Sequence, residues 1–101
     1  MQRTKVPTVA EFISAHIALS GKSQAEIARE CGFEKANVLT MLKQGKMKVP
    51  LSRAAAIAHA LNVEPYELIA RLMEEYEPQT WQAIQEHFQV TPAARSGKAA
   101  R

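Results

Sequence analysis

The sequence predicts an all-α fold of five or six short helices, and three observations lead to this prediction. Apolar residues recur at three- and four-residue spacings along most of the chain and never alternate over a useful length. None of the two-residue turns that mark a β-hairpin occurs. Glycine, asparagine or proline stands between successive helical patterns. At 101 residues, 47% of them apolar and 23% charged, the chain has the size and composition of one small globular domain.

The first two helices are predicted by their capping residues. Thr8 can cap a helix that ends at Gly21 and carries apolar residues at helical spacing, namely Val9, Phe12, Ile13 and Ile17. The run Ser23-Gln24-Ala25-Glu26 is a capping box, in which a hydroxyl and a carboxylate each accept a hydrogen bond from a free backbone N–H. It begins a second short helix, which Gly32 ends.

The third helix is predicted from about Glu34 to Gln44, where Gly45 stops it. Its buried face is expected to carry Val38, Met41 and Leu42. Glu34 is expected to act first as a cap, because a negative charge suits the N-terminus of a helix.

The remaining helices are predicted by the residues at their ends. An alanine-rich fourth helix starts at Leu51 or Ser52 and runs to Leu61, and Asn62 suits the left-handed turn that ends it. Proline fits the first position of a helix, so a fifth helix begins at Pro65 and a sixth runs from Pro78 to about Phe88. The stretch 91–101 has no large apolar residue and is predicted to be a disordered basic tail.

Charge is distributed unevenly along the chain. Residues 1–50 carry eight basic and four acidic side chains, and residues 51–90 carry two basic and six acidic ones. Residues 91–101 carry three basic side chains. Residues 1–50 therefore have a net charge of +4, although the net charge of the whole chain is only +3. This uneven distribution favours an anionic partner for one face of the molecule. Ordinary solvated faces would account for the same numbers.

Several other classes of protein are excluded or disfavoured. No apolar stretch approaches the roughly 20 residues of a membrane span, and no leader peptide opens the chain, so we expect a cytoplasmic protein with no membrane partner. Cys31 is the one cysteine and is expected to be an inert, buried thiol. The three histidines, His16, His59 and His87, fall on separate helices without metal-ligand spacing. We therefore expect neither an enzyme nor a cofactor.

The segment Gln24–Lys43 has the features of two helices that cross through a tight turn. Ala28 is small where the second helix must approach, and Gly32 tolerates the positive φ of the turn. Apolar residues fill the angle between the helices, namely Ile27, Cys31, Phe33, Val38 and Met41. The segment resembles the helix-turn-helix of the lambda repressor and Cro superfamily, the XRE family, over about residues 8–72. The resemblance implies a five-helix, lambda-repressor-like DNA-binding domain with an added C-terminal helix.

The resemblance also implies where DNA would bind. The family's base-reading positions fall on Lys35, Ala36 and Thr40, with Asn37 and Leu39 beside them. Its phosphate-holding positions fall on Gln24 and Lys43. We add the neighbouring residues of the helix ends and the following loop, namely Lys22, Ser23, Lys46 and Lys48. Each lysine taken alone is equally well explained as a solvated surface charge.

Helices five and six contain more apolar surface than a five-helix unit needs. We expect a dimer interface formed by Tyr76, Trp81, Ile84 and Phe88, because aromatic residues are enriched in interface cores. The alternative is that helix six folds back and completes the core of the monomer. The expected organisation is thus an N-terminal arm at 1–7, a DNA-binding domain at 8–77, a dimerisation helix at 78–90 and the tail.

These observations predict a transcriptional repressor that binds a pseudo-palindromic double-stranded DNA operator as a homodimer and occludes the promoter. An alternative is an antitoxin that binds a toxin, or a regulator that binds another partner protein, through the acidic run Glu74-Glu75-Tyr76-Glu77. A third possibility is a protein-interaction module without DNA affinity.

Overall fold

A computed structural model describes residues 7–88 of the chain, and these residues form six α-helices without any β-strand. The helices are α1 (Val9–Ser20), α2 (Gln24–Cys31), α3 (Asn37–Gln44), α4 (Ala54–Leu61), α5 (Pro65–Tyr76) and α6 (Pro78–Phe88), and a single 3-10 turn, Leu51–Arg53, leads into α4. The predicted all-α fold is confirmed. Most of the predicted N-terminal arm and the whole predicted basic tail lie outside the described residues.

Local hydrogen bonds set the ends of the first two helices. The Thr8 hydroxyl accepts from the Glu11 N–H at 3.1 Å, and the Glu11 carboxylate accepts from the Thr8 N–H at 2.9 Å. Ser23 and Glu26 make the same pair of bonds at 3.1 and 2.9 Å. The predicted cap at Thr8 and the predicted capping box at Ser23 are therefore confirmed, and Thr8 forms a second capping box with Glu11 that was not predicted. The predicted helix stops are confirmed as well, since left-handed residues end four of the helices, namely Gly21, Gly32, Gly45 and Asn62.

One hydrophobic core joins the first five helices. Its fully buried large side chains are Ile13, Ile27, Leu39, Leu42, Ile57, Leu68 and Leu72. The small residues Ala54 and Ala58 are fully buried on α4, which packs against α1, α2 and α5. Each of the large aliphatic side chains contributes about 1.5–3 kcal/mol by leaving water. This core fixes the angle at which α2 and α3 are presented at the surface.

The third helix differs from its prediction in both its start and its buried face. It begins at Asn37 rather than near Glu34, and Ala36 occupies the N-cap position without a side-chain cap, so Glu34 does not cap it. Leu39 and Leu42 face the core, with 0% and 1% of their surface exposed. Val38 and Leu42 pack against the core as predicted. Met41, also predicted to face inward, lies outside the core because the buried face is centred nearer to Leu39.

The sixth helix packs against α5 and completes the monomer on that side. Trp81 is only 8% exposed, and its ring centroid lies 6.2 Å from that of Tyr66 on α5. Tyr76 is also occupied within the monomer, since its hydroxyl accepts from the Val49 N–H at 2.9 Å. Trp81 is therefore covered within the monomer, against its assignment to a dimer interface, whereas the assignment of Tyr76 stays a prediction. Phe88 remains 71% exposed, and Ile84 is half-buried.

Candidate nucleic-acid interface

The outward face of α3 is polar except for one side chain. With Leu39 and Leu42 directed into the core, the opposite side of the helix carries Asn37, Thr40, Met41 and Gln44. Asn37 and Gln44 are exposed, and Thr40 and Met41 are partly exposed. Leu39, predicted to lie beside the base-reading residues, is excluded from that role because it has no exposed surface.

Two predicted base-reading residues lie just before the helix. Lys35 is exposed, and its carbonyl accepts from the Val38 N–H at 3.3 Å. Ala36 is the N-cap residue, and its carbonyl accepts from the Leu39 N–H at 3.0 Å. Both residues therefore lie at the N-terminus of α3, next to Asn37 and the outward face. Their side chains are placed by the non-helical segment 33–36 and not by the helical repeat.

A hydrogen-bonded network connects α3 to the first turn of α2. The Gln24 amide donates to the Thr40 hydroxyl oxygen at 2.9 Å, and Lys43 donates from Nζ to the Gln24 amide oxygen at 3.0 Å. Gln24 also lies 3.5 Å from the Ala36 carbonyl. The Thr40 hydroxyl proton and two of the three Lys43 N–H groups stay available to a ligand. The network thus holds three polar groups together and leaves donors pointing outward.

The predicted phosphate-binding lysines do not form one set. Lys46 and Lys48 are exposed in the loop that follows α3, and the Lys48 ammonium lies 5.0 Å from the centre of the Tyr76 ring. Lys22 is separate, because its Nζ donates to the Glu30 carboxylate at 2.8 Å and to the Ala60 carbonyl at 2.9 Å. It serves to connect α2 with α4, and a phosphate-binding role for it is not supported. The Ser23 hydroxyl is used as the helix cap.

Arg53 holds the turn between α2 and α3, a role that the sequence did not predict. Its guanidinium donates from Nη1 to the Cys31 carbonyl at 2.7 Å and lies 5.5 Å from the centre of the Phe33 ring. Gly32 has φ +81°, and a Cβ placed there would collide with Arg53 Nη1. No local signal could reveal this contact, because Arg53 and Cys31 are 22 positions apart in the chain.

Among the residues that the structure describes, three ionisable groups have clearly shifted pKa values, and none of the three shifts indicates catalysis. The hydrogen bond from the Ser23 N–H lowers the pKa of Glu26. Burial raises the pKa of the Cys31 thiol and that of the Tyr76 hydroxyl. Cys31 therefore stays protonated near neutral pH, as expected for an inert thiol. Among residues 7–88, no three His, Cys, Asp or Glu side chains are grouped so as to hold a metal ion.

The charges of this surface are mostly positive. Between Gly32 and Pro50 the one acidic side chain is Glu34, whereas the basic ones are Lys35, Lys43, Lys46 and Lys48. The acidic residues of the second half belong largely to α5 and its ends, where Glu75 accepts from the Val9 N–H at 2.8 Å. The uneven charge of the sequence therefore becomes a basic α3 region and a separate acidic helix.

Comparison with known proteins agrees with this geometry. No curated protein and no solved structure matches the chain. No helix among the residues that the structure describes has the length and apolar character needed to cross a membrane. The family model of the Cro/C1-type helix-turn-helix DNA-binding domain matches residues 13–74, which include α2, α3 and most of the core. Since this match covers more than half of the chain, the protein belongs to the Cro/C1-type helix-turn-helix family of DNA-binding transcription regulators.

Proposed function

We propose that this DNA-binding protein is a transcriptional repressor that acts as a homodimer on a pseudo-palindromic operator and blocks promoter access. The observation that supports sequence-specific binding best is the outward face of α3, which is polar, accessible and followed by exposed lysines. A helix with such a face fits the major groove of B-form DNA, where each base pair presents a distinct set of donors and acceptors.

Phosphate contacts would orient α3 in the groove. Lys43, Lys46 and Lys48 lie on or after this helix, and Gln24 lies in the first turn of α2 beside Lys43. A dimer that uses these three lysines in each subunit neutralises six phosphates. The logarithm of the binding constant should then fall with the logarithm of salt concentration with a slope of about −5.

Base contacts would come from the residues at the start and along the outward face of α3. The Asn37 amide can pair with adenine, and Lys35 can donate to guanine O6 and N7. Thr40 keeps its hydroxyl proton for a base or a phosphate while Gln24 fixes its side chain. Ala36 would contact a thymine methyl at the N-terminus of the helix.

Dimerisation would use the end of α6. Ile84 and Phe88 follow Trp81 at i+3 and i+7, so they continue the face of the helix that packs against α5. Phe88 is 71% exposed and Ile84 is half-buried, so together they offer an apolar surface on α6 that a second subunit would cover. Two subunits would place their α3 helices about 34 Å apart in successive major grooves.

Selection of bound sequences from random double-stranded DNA tests this proposal. The full chain is expected to enrich a two-fold symmetric site with half-sites about 10 base pairs apart. Asn37→Ala should weaken binding to the enriched site more than to random DNA, whereas Gln82→Ala, an uncharged exposed residue of α6, should change neither. Enrichment of no sequence, or equal losses on both DNAs with Asn37→Ala, would refute sequence-specific reading by α3.

Sedimentation of the free protein and of Phe88→Ser tests the dimer separately. The unsubstituted chain is expected to sediment as a dimer at micromolar concentration and the variant as a folded monomer. A monomer in both cases would remove α6 from the proposal and leave the DNA-binding face intact. Binding of a toxin through the acidic run 74–77 is not favoured, because Glu75 is engaged by α1 within the monomer.

A further inference from the structure

The outward face of α3 carries one apolar side chain among polar ones. Met41 lies between Asn37 and Gln44 on this face, and it does not pack against the hydrophobic core. Val38, the neighbouring apolar residue of the same helix, does pack against the core. Met41 is therefore a partly exposed apolar side chain outside the core, and its exposed part is accessible to a ligand that binds this face.

Asn37, Met41 and Gln44 form a single stripe along the helix. Their spacing of i, i+4 and i+7 places them on one line about 10 Å long, since an α-helix rises about 1.5 Å per residue. That length corresponds to about three base-pair steps of 3.4 Å. Thr40, on the other flank, is bound to Gln24 and belongs to the network that faces α2. Met41 is consequently the central member of the stripe.

The chemistry of the thioether restricts what Met41 can recognise. Its sulfur is at most a weak acceptor, so it cannot satisfy the donors and acceptors of most base edges, and a polar edge buried against it would lose its water partners. The C5-methyl group of thymine is the one apolar feature that a natural base pair presents in the major groove. The flexible side chain of methionine adapts well to such a small apolar contact.

We infer that Met41 is a specificity-determining residue that selects thymine, through its C5-methyl group, at one central position of each half-site. This inference rests on the proposed insertion of α3 into the major groove. The amides of Asn37 and Gln44 flank the thymine contact, and each can pair with adenine on either side of it. The expected half-site is therefore rich in A·T pairs at its centre.

Replacement of thymine by deoxyuridine tests the inference, because it removes only the methyl group. Each thymine of the selected operator is replaced in turn, symmetrically in both half-sites, and affinity is measured by fluorescence anisotropy with the full chain. At one position the unsubstituted protein should lose about four-fold in affinity per half-site, the effect of burying one methyl group. Met41→Ala should bind the thymine and deoxyuridine sites equally at that position.

Two further variants separate this contact from a general loss of structure. Met41→Leu, which keeps an apolar side chain of similar size, should retain preference for thymine at that position. Gln44→Ala should lower overall affinity and also retain the preference. The far-ultraviolet circular dichroism of each variant should match that of the unsubstituted chain, because Met41 and Gln44 lie outside the core.

The outcomes distinguish the inference from the proposal beneath it. If the protein binds its selected site but no position distinguishes thymine from deoxyuridine, the role of Met41 is refuted and reading by α3 stands. The same conclusion follows if Met41→Ala keeps the full preference. If the chain enriches no DNA sequence, the proposed function fails, and the inference fails with it.

Discussion

Gly32 offers the sharpest test of how the tertiary structure supports the turn between α2 and α3. We predict that Gly32→Ala destabilises the protein substantially more than Gly21→Ala. Both glycines end a helix in the left-handed conformation, with φ +81° and +73°. A Cβ at Gly21 meets nothing within 4 Å, whereas a Cβ at Gly32 collides with the Arg53 guanidinium. The two substitutions thus share a backbone cost and differ in one contact.

The magnitudes follow from these two terms. A left-handed alanine costs about 1 kcal/mol relative to glycine, and this is the whole effect expected for Gly21→Ala. Gly32→Ala also requires Arg53 Nη1, the end of a flexible side chain, to move, and the extra cost that we predict is the loss of its 2.7 Å hydrogen bond to the Cys31 carbonyl. Loss of that hydrogen bond costs about 1–1.5 kcal/mol, since the group is only partly buried. The total for Gly32→Ala is about 2–2.5 kcal/mol, or a fall in melting temperature of roughly 8–20 °C.

Urea unfolding, followed by the fluorescence of Trp81 and by circular dichroism, measures these differences. Arg53→Met provides the matched background, because it removes the guanidinium that a Cβ would strike. In that background Gly32→Ala should cost about 1 kcal/mol, the same as Gly21→Ala. The reasoning is wrong if the two alanine variants are equally stable in the unsubstituted protein, or if Arg53→Met leaves the cost of Gly32→Ala unchanged.

Three other predictions concern the core, the second capping box and the basic surface. Leu39→Ala should lower the free energy of unfolding by about 2–5 kcal/mol, because Leu39 is fully buried. Met41→Ala should change it by less than about 1 kcal/mol, and equal effects of the two variants in urea unfolding would refute the assignment of Leu39 to the buried face of α3 and of Met41 to the outward face. The pKa of Glu26 in the folded state lies below its ordinary value of 4.5, so the carboxylate stabilises the fold fully above pH 4.5 and loses this effect as the pH falls through the folded-state pKa. Glu26→Gln should therefore make the melting temperature less sensitive to acid between pH 7 and pH 3. An unchanged pH profile would count against the capping box. Lys46→Ala should weaken binding to the operator and to random DNA alike, and it should reduce the slope of log binding constant against log salt concentration by about one per subunit. Lys22→Ala should leave this slope unchanged, because Lys22 is bound to Ala60 within the monomer. A reduced slope for Lys22→Ala would show that Lys22 contacts a phosphate after all.

Helix ends were predictable because the interactions that set them are local. A capping box joins residues three positions apart, as between Ser23 and Glu26, and a left-handed stop depends on one residue such as Asn62. Gln24 and Lys43 were also assigned correctly to one region, but the hydrogen bond between them was not foreseen. These two residues are 19 positions apart, and only the crossing of α2 and α3 brings them together.

The register of α3 could not be read from spacing alone. Val38, Met41 and Leu42 satisfy a helical repeat, and so do Leu39 and Leu42. The choice depends on how α3 packs against α1 and α2, which are other segments of the chain, because spacing alone is compatible with either face. Val38 and Leu42 lie against the core as predicted, and the buried face turns away from Met41 toward Leu39 by less than the roughly 100° of one residue.

By itself, the sequence determined the fold class, most of the helix ends and the family, because these depend on composition, short-range hydrogen bonds and the spacing of small and apolar residues. The tertiary structure alone decided which side of α3 faces outward, that Trp81 belongs to the monomer, and that Lys22 is bound internally. Each of these depends on packing between segments far apart in the chain. Such contacts determine whether a side chain points toward the solvent, where it can contact DNA, or toward the core, where it holds the domain together.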